Sequence, residues 1–133
     1  MDHQRLGAIA RRYGIRLLLQ FGSTVSGTSH GRSDVDVGVL LEQPTLSLHD
    51  YSELGHELQS LLPERQVDLV VLNRADPLLL KQVSEACVRL YGSERELQRF
   101  KLLAFKRYQD HRPYFEMERR YVARTLAHDF PES

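Results

Sequence analysis

The chain alternates between helical and extended hydrophobic patterns. Its first segment repeats apolar residues at the spacing of a helix, namely Leu6, Ile9, Ala10 and Tyr13. Gly14 fits the end of that helix, because glycine readily takes the left-handed conformation that closes a helix. Residues 15–21 form a short apolar run without helical spacing and predict the first strand.

Residues 34–41 alternate with a period of two and predict a second strand with two distinct faces. The face that we expect to be buried carries Val35, Val37, Val39 and Leu41. The face that we expect to look toward solvent or a ligand carries Asp34, Asp36, Gly38 and Leu40. Because Gly38 has no side chain, it is predicted to leave space beside the acids.

Two further helices and a third strand follow. Ser47 suits the start of a helix that Pro63 ends, and residues 67–72 predict the third strand. A helix opened by the N-cap residue Asp76 is expected to continue to about Tyr91.

A long polar helical region begins with the capping sequence of Ser93 and Glu96. Pro113 is expected to break or kink it, because proline has no N–H to donate to the preceding turn. Beyond the proline, arginines are interleaved with Phe115, Met117, Tyr121, Val122 and Leu126. Such a pattern is typical of a solvated helix face or of a face that binds a partner.

The element order predicts an α+β fold, with a two-layer core in which helices pack on a small mixed sheet, and a C-terminal helical tail. We place the core at residues 1–92 and the tail at residues 93–133. The tail is interpreted as part of the same domain and as the segment that docks a partner.

Composition and charge narrow the function classes. Lys and Arg number 18, as do Asp and Glu, so the formal net charge of zero provides no global basic field for direct nucleic-acid binding. Cys87 is the only cysteine, which excludes an internal disulfide. Because no apolar run approaches the length of a membrane span and the N-terminus lacks a secretory signal, we expect a cytoplasmic protein without a membrane partner.

The candidate chemistry lies in the sequence GSTVSGTSHGRSDVD at residues 22–36. Asp34 and Asp36 are two residues apart in a predicted strand, so their carboxylates point the same way and can share or bridge divalent cations. Gly22 allows close approach of the backbone, and Ser23 offers an N–H and a hydroxyl to a phosphate. A plain strand-to-helix turn is the alternative for an isolated Gly-Ser pair; the aspartate pair ten residues further on favours phosphate binding.

Asp68 is an acid inside an otherwise apolar strand, where burial without a partner is costly. It either reaches solvent at the start of the strand or joins Asp34 and Asp36 around metal ions. The neighbouring motif favours the second interpretation. Three carboxylates at close range repel one another unless divalent cations accompany them, and magnesium prefers oxygen ligands.

At these residues the chain resembles the nucleotidyltransferase superfamily that includes DNA polymerase beta and kanamycin nucleotidyltransferase. It is similar in particular to the MNT-type minimal nucleotidyltransferases, the antitoxins of HEPN/MNT toxin–antitoxin pairs, whose motif is GS, ten residues and then D-x-D. The resemblance covers residues 1 to about 92 and implies a nucleotidyltransferase core. It also implies an antitoxin that transfers AMP from ATP to a tyrosine hydroxyl of a HEPN ribonuclease toxin and releases pyrophosphate.

The same resemblance implies a role for each motif residue. The nucleotide phosphates would be held by Gly22, Ser23 and Ser33. The catalytic carboxylates, which would hold two Mg²⁺ ions, would be Asp34, Asp36 and Asp68. Asp68 would in addition deprotonate the acceptor hydroxyl.

The chain departs from the resemblance at Thr24 and Ser26, where such proteins commonly carry arginines; Arg32 is the candidate replacement. Two alternative functions stay open. A non-catalytic antitoxin that acts by covering its toxin would still protect cells after Asp34→Ala with Asp36→Ala. A nucleotidyltransferase that acts on a small molecule, such as an aminoglycoside, would need no protein partner.

Overall fold

A computed structural model describes residues 1–22 and 34–129, with side chains described as far as residue 127. In chain order the elements are α1 (His3–Tyr13), β1 (Ile15–Phe21), β2 (Val35–Leu41), α2 (Leu48–Leu61), β3 (Val67–Val71), a short 3₁₀ turn (Leu72–Arg74), α3 (Pro77–Glu85), β4 (Cys87–Tyr91) and α4 (Glu94–Asp129). The first three predicted strands are confirmed to within one residue at each end.

The four strands form one mixed sheet in the order β3-β2-β1-β4. β1 runs antiparallel to both of its neighbours, β2 and β4, whereas β2 and β3 are parallel. The prediction of a small mixed sheet with helices and a long C-terminal helix is therefore confirmed. In this order the N-terminal ends of β2, β3 and β4 lie side by side with the C-terminal end of β1. Together they form the edge of the sheet that runs across the strand ends.

Helices pack on both faces of the sheet, so the core has three layers where the sequence predicts two. On the first face, α1 and α2 bury the side of β2 that the sequence predicts to be buried, in a cluster that includes Leu6, Val37, Val39, Leu54 and Leu58. On the second face, α3 and the start of α4 cover a separate cluster that includes Leu17, Leu19, Leu80, Val83 and Phe100. Because α3 and α4 occupy this second face, only part of it stays open to solvent or a ligand.

Local capping explains where the helices begin. The side chains of Ser47 and Ser93 each accept a hydrogen bond of 3.1 Å from a backbone N–H three residues on, and Asp76 accepts one of 2.8 Å from an N–H two residues on. Gly14 ends α1 in the left-handed conformation, with a φ of 67°. The predicted helix starts are confirmed at these positions.

The prediction of a single helix from Asp76 to about Tyr91 is wrong beyond Glu85. α3 ends there, and β4 pairs with the free edge of β1. Gly92, with a φ of 110°, follows a strand instead of closing a helix, and a Cβ at this position would lie 2.6 Å from the carbonyl oxygen of Arg16. Residues 87–91 form a strand because β1 offers unpaired backbone groups along its free side. A continued helix would leave those groups without partners.

Of the prediction that Pro113 breaks or kinks the helical tail, the break is wrong, because α4 continues through the proline as a single helix of 36 residues. Proline removes one backbone hydrogen bond, and the carbonyl group left without its donor belongs to Gln109. Both residues are exposed, so water can satisfy that carbonyl. Across the ranges that the structure describes, no helix combines the length and apolar character that crossing a membrane requires.

Candidate active site

Strand register brings two of the predicted acids side by side. In the parallel pairing of β2 with β3, Asp36 lies directly opposite Asp68. On its other side, Asp36 lies opposite Phe21 in the antiparallel pairing with β1. Asp34 lies just before β2, two residues from Asp36, and so belongs to the same end of the sheet. The three predicted carboxylates therefore gather at one edge.

Gly22 lies against the carboxylate of Asp36. It follows β1 with a φ of 89°, which side chains other than that of glycine rarely allow. A Cβ built on Gly22 would overlap Oδ2 of Asp36 and lie 3.1 Å from its Cγ. The missing side chain therefore gives the Asp36 carboxylate its space.

The acids repel one another in the absence of a cation. Partial burial raises the pKa of Asp36 above its ordinary value, and the negative charges of Asp68 and Asp34 raise it further. Across residues 1–22 and 34–127, none of the three acids forms a salt bridge with a basic side chain. An all-oxygen ligand set with excess negative charge suits a hard divalent cation such as Mg²⁺.

The carboxylates are neighbours, but their ligand oxygens do not all lie within 4.8 Å of one another. Within the described part of the chain, the three metal-ligating side chains whose ligand atoms lie within 4.8 Å of one another are instead His49, Asp50 and Glu53 on α2. Glu53 already lies 3.2 Å from His49 and 3.7 Å from Arg12. These groups form an exposed ion-pair cluster on the surface of α2, which needs no metal to explain it.

The expectation that Gly38 leaves space beside the acids is wrong. A Cβ at this position would lie 2.8 Å from Cδ1 of Leu72, a side chain that is fully buried. The space opposite the glycine is therefore filled by the residue that follows β3. Gly38 is a packing position that separates the acidic edge from the apolar cluster under α3 and α4.

The structure tests the phosphate side of the predicted site only at Gly22. Ser23, Ser33 and Arg32 lie outside the described residues, so their roles stay predictions.

The strand that contains Cys87 is not predicted from the sequence. Cys87 pairs with Phe21 and thereby continues the line of residues from Asp68 across the sheet. Its neighbours Val88, Leu90 and Tyr91 are compatible with a strand, but the pattern is too short to distinguish a strand from a helix.

Comparison with known proteins agrees with this geometry. Residues 4–96 match the family model described as polymerase beta, nucleotidyltransferase. The protein adenylyltransferase MntA of Shewanella oneidensis is 35% identical over 95 residues, which are 71% of this chain and 67% of that protein. The family match includes α1 except its first residue, all four strands and the first three residues of α4.

Two solved structures have a similar fold along nearly the whole chain. A toxin–antitoxin complex with AMP-PNP contains a chain with a TM-score of 0.72 and 28% identity, covering 95% of this chain and 98% of that one. A complex of tri-AMPylated HEPN toxin with MNT antitoxin, from Shewanella oneidensis, gives a TM-score of 0.66 and 25% identity, covering 95% and 98%. With the family match over most of its elements, this chain belongs to the polymerase beta family of nucleotidyltransferases.

Proposed function

We propose that this protein is an antitoxin that transfers AMP from ATP to a tyrosine hydroxyl of a cognate HEPN ribonuclease toxin. The observation that carries the proposal is the register of Asp36 with Asp68, beside a glycine whose missing side chain makes room for the Asp36 carboxylate. The relatives that resemble this chain include a protein adenylyltransferase and chains of toxin–antitoxin complexes, one of them with an AMPylated toxin. We expect the reaction to take place in the cytoplasm.

The covalent step is a substitution at the α-phosphorus of ATP. The acceptor oxygen forms a bond to that phosphorus, and the bond to the bridging oxygen of the β-phosphate breaks. Pyrophosphate leaves with the electron pair of the broken bond, and Asp68 accepts the hydroxyl proton. Asp68 suits this role because it is exposed on the edge strand β3, where a large acceptor can approach.

Two Mg²⁺ ions would be held by Asp34, Asp36 and Asp68, and when bound they would neutralise charge on the attacking and leaving oxygens. The partly buried carboxylate of Asp36, flanked by the other two acids, would be one of the residues that hold them. Gly22, with Ser23 and Ser33, would bind the nucleotide phosphates. A bound cation would offset the repulsion that raises the pKa of Asp36, so ATP binding and metal binding would depend on each other.

We also propose that the outer half of α4, residues 108–127, docks the toxin. The beginning of α4 is anchored in the core by Phe100 and Ala104, whereas Tyr114, Met117 and Tyr121 are 64%, 64% and 72% exposed. A groove of about 760 Å³ runs between this half of the helix and Leu78 of α3, and its apolar lining is Tyr108, Phe115, Val122, Ala123 and Leu126. Apolar surface of this kind marks a protein-binding site.

The charges beside the groove indicate the kind of surface that fits it. Among the described side chains, Arg119, Arg120 and Arg124 have no salt-bridge partner. A toxin helix with apolar residues along one side and acidic residues at its border would fill the groove and pair with these arginines.

AMP transfer is tested by incubating the protein with Mg²⁺, ATP labelled at the α-phosphate and the HEPN protein encoded beside it. We expect label on the toxin. Asp34→Ala with Asp36→Ala should reduce labelling by about a thousandfold or more, because the ligands that stabilise the developing charge are lost. Glu64→Ala, an exposed acid in the loop before β3, is the matched control and should label as the wild type does.

The same experiment separates transfer from neutralisation by covering, the alternative that the exposed apolar half of α4 favours. A wild-type protein that binds and silences the toxin without labelling it would contradict transfer. Full protection of cells by the doubly substituted protein would show that covering is sufficient.

A further inference from the structure

The line of residues that begins with the acids extends across the whole sheet. Asp68, Asp36 and Phe21 are successive partners, and Cys87 of β4 is the next partner of Phe21. Adjacent strands lie about 4.8 Å apart, so Cys87 is roughly 10 Å from Asp36 along this line. The acids thus lie at one end of this line, and Cys87 of β4 lies at the other end.

The first turns of α4 lie over the β4 end of this line. Leu97, Phe100 and Ala104 belong to the same apolar cluster as Phe21 and Cys87. Lys101 follows Phe100 and borders that buried stripe, with its own side chain exposed. Burial raises the pKa of the Cys87 thiol, while the positive charge of Lys101 acts in the opposite direction.

Neighbouring basic side chains of this region already have carboxylate partners. Lys81 lies 2.7 Å from Glu85, and Arg89 lies 3.6 Å from Glu94. Lys101, in contrast, forms no salt bridge with any side chain that the structure describes. Its charge is therefore free to bind an anionic ligand.

The direction of the proposed reaction indicates which anion that would be. In an in-line displacement the acceptor and the leaving group lie on opposite sides of the reacting phosphorus. If Asp68 receives the proton of the acceptor at one end of the line, the leaving pyrophosphate extends toward the other end, where β4 and the start of α4 lie.

We propose that Lys101 binds the β- and γ-phosphates of ATP and holds the pyrophosphate as it leaves. This inference rests on the function proposed above. It adds a phosphate-binding residue from α4, beyond the segment that carries the GS and D-x-D motifs. Lys101 would act on the triphosphate, whereas the aspartates act on the reacting phosphorus.

The test compares the binding of three probes, ATP, pyrophosphate and AMP, each with Mg²⁺, to the full-length protein by calorimetry. Lys101→Ala should weaken ATP and pyrophosphate binding by about tenfold or more, which is typical for loss of a charged hydrogen bond. AMP binding should not change, because AMP lacks both phosphates. Lys101→Arg should restore part of the loss, since it keeps the positive charge.

Lys106→Ala, a substitution of an exposed lysine on the same helix, is the matched control and should bind all three probes as the wild type does. Because Lys101 is exposed, its substitution should leave the thermal unfolding midpoint nearly unchanged. Equal binding of ATP by Lys101→Ala and wild type, or an equal loss of ATP and AMP binding, would overturn the assignment of Lys101. A wild-type protein that binds no ATP with Mg²⁺ would instead overturn the proposed function itself.

Discussion

The acidic edge of the sheet and the outer half of α4 are both incomplete surfaces, for opposite physical reasons. At the edge, Asp34, Asp36 and Asp68 place like charges together without a basic partner among the described residues. On the outer half of α4, large apolar side chains lie in water without a cover. Small cations and phosphates can complete the first surface, whereas the second requires a protein. Chemistry and partner binding should therefore be separable by substitution.

The largest expected effect on toxin binding comes from placing charges in the groove. Val122→Asp with Leu126→Asp should weaken toxin binding by about a hundredfold, because two carboxylates would lose water against an apolar partner. ATP binding and stability should stay as in the wild type, since both side chains are more than half exposed. Biolayer interferometry with the toxin and calorimetry with ATP measure the two properties.

The control for this prediction is Gln109→Asp, which introduces one carboxylate on the same half of α4 but outside the groove lining. It should bind the toxin nearly as well as the wild type. A loss of ATP binding in the groove variant would show that the two surfaces are coupled, contrary to the comparison above.

A second, smaller effect is expected on stability, from a substitution beside the acidic edge. Gly38→Ala should lower the free energy of unfolding by about 1–3 kcal/mol, because its Cβ would press on the buried Leu72 side chain. Urea denaturation followed by circular dichroism measures the change. Gly55→Ala is the matched control: nothing lies within 4 Å of its Cβ position on α2, and alanine there should stabilise the protein by about 0.5–1 kcal/mol.

The smallest expected effect is a dependence of stability on pH and Mg²⁺ at Asp36. Its pKa is raised in the folded protein, so its contribution to stability is fully present below the unfolded value of 3.8 and is lost as pH rises through the folded value. In metal-free protein, the melting temperature of the wild type should therefore fall relative to that of Asp36→Asn over this range.

Mg²⁺ added at neutral pH should raise the melting temperature of the wild type more than that of Asp36→Asn, because the ion removes the repulsion among the acids. Differential scanning calorimetry across pH, with and without Mg²⁺, measures both effects. Parallel curves for the two proteins would contradict the electrostatic description of the acidic edge.

The parts of this molecule that can be predicted from the sequence are those that short sequence patterns determine. The alternation of residues 34–41 and the run at 15–21 identify strands, and the spacing of the GS and D-x-D motifs identifies the family, which the comparisons confirm. The mixed sheet and the long terminal helix are likewise confirmed. The number of Mg²⁺ ions, the roles of the individual aspartates and the boundary between core and tail stay predictions.

The errors lie where distant contacts decide the structure. β4 forms because β1 presents an open edge, and nothing in residues 86–91 alone encodes that pairing. The space at Gly38 is filled by Leu72, which is far from it in sequence. The position of Lys101 beside the β4 end of the acidic edge depends on how α4 packs, so it too could not be inferred from helical periodicity.

The contact between Gly22 and Asp36 has a consequence for inheritance. Every missense change in a glycine codon yields a residue with a Cβ, and at position 22 that atom would meet the carboxylate in a backbone conformation that such residues rarely adopt. We therefore expect no mild allele at this codon: random mutagenesis followed by selection for protected cells should recover glycine alone.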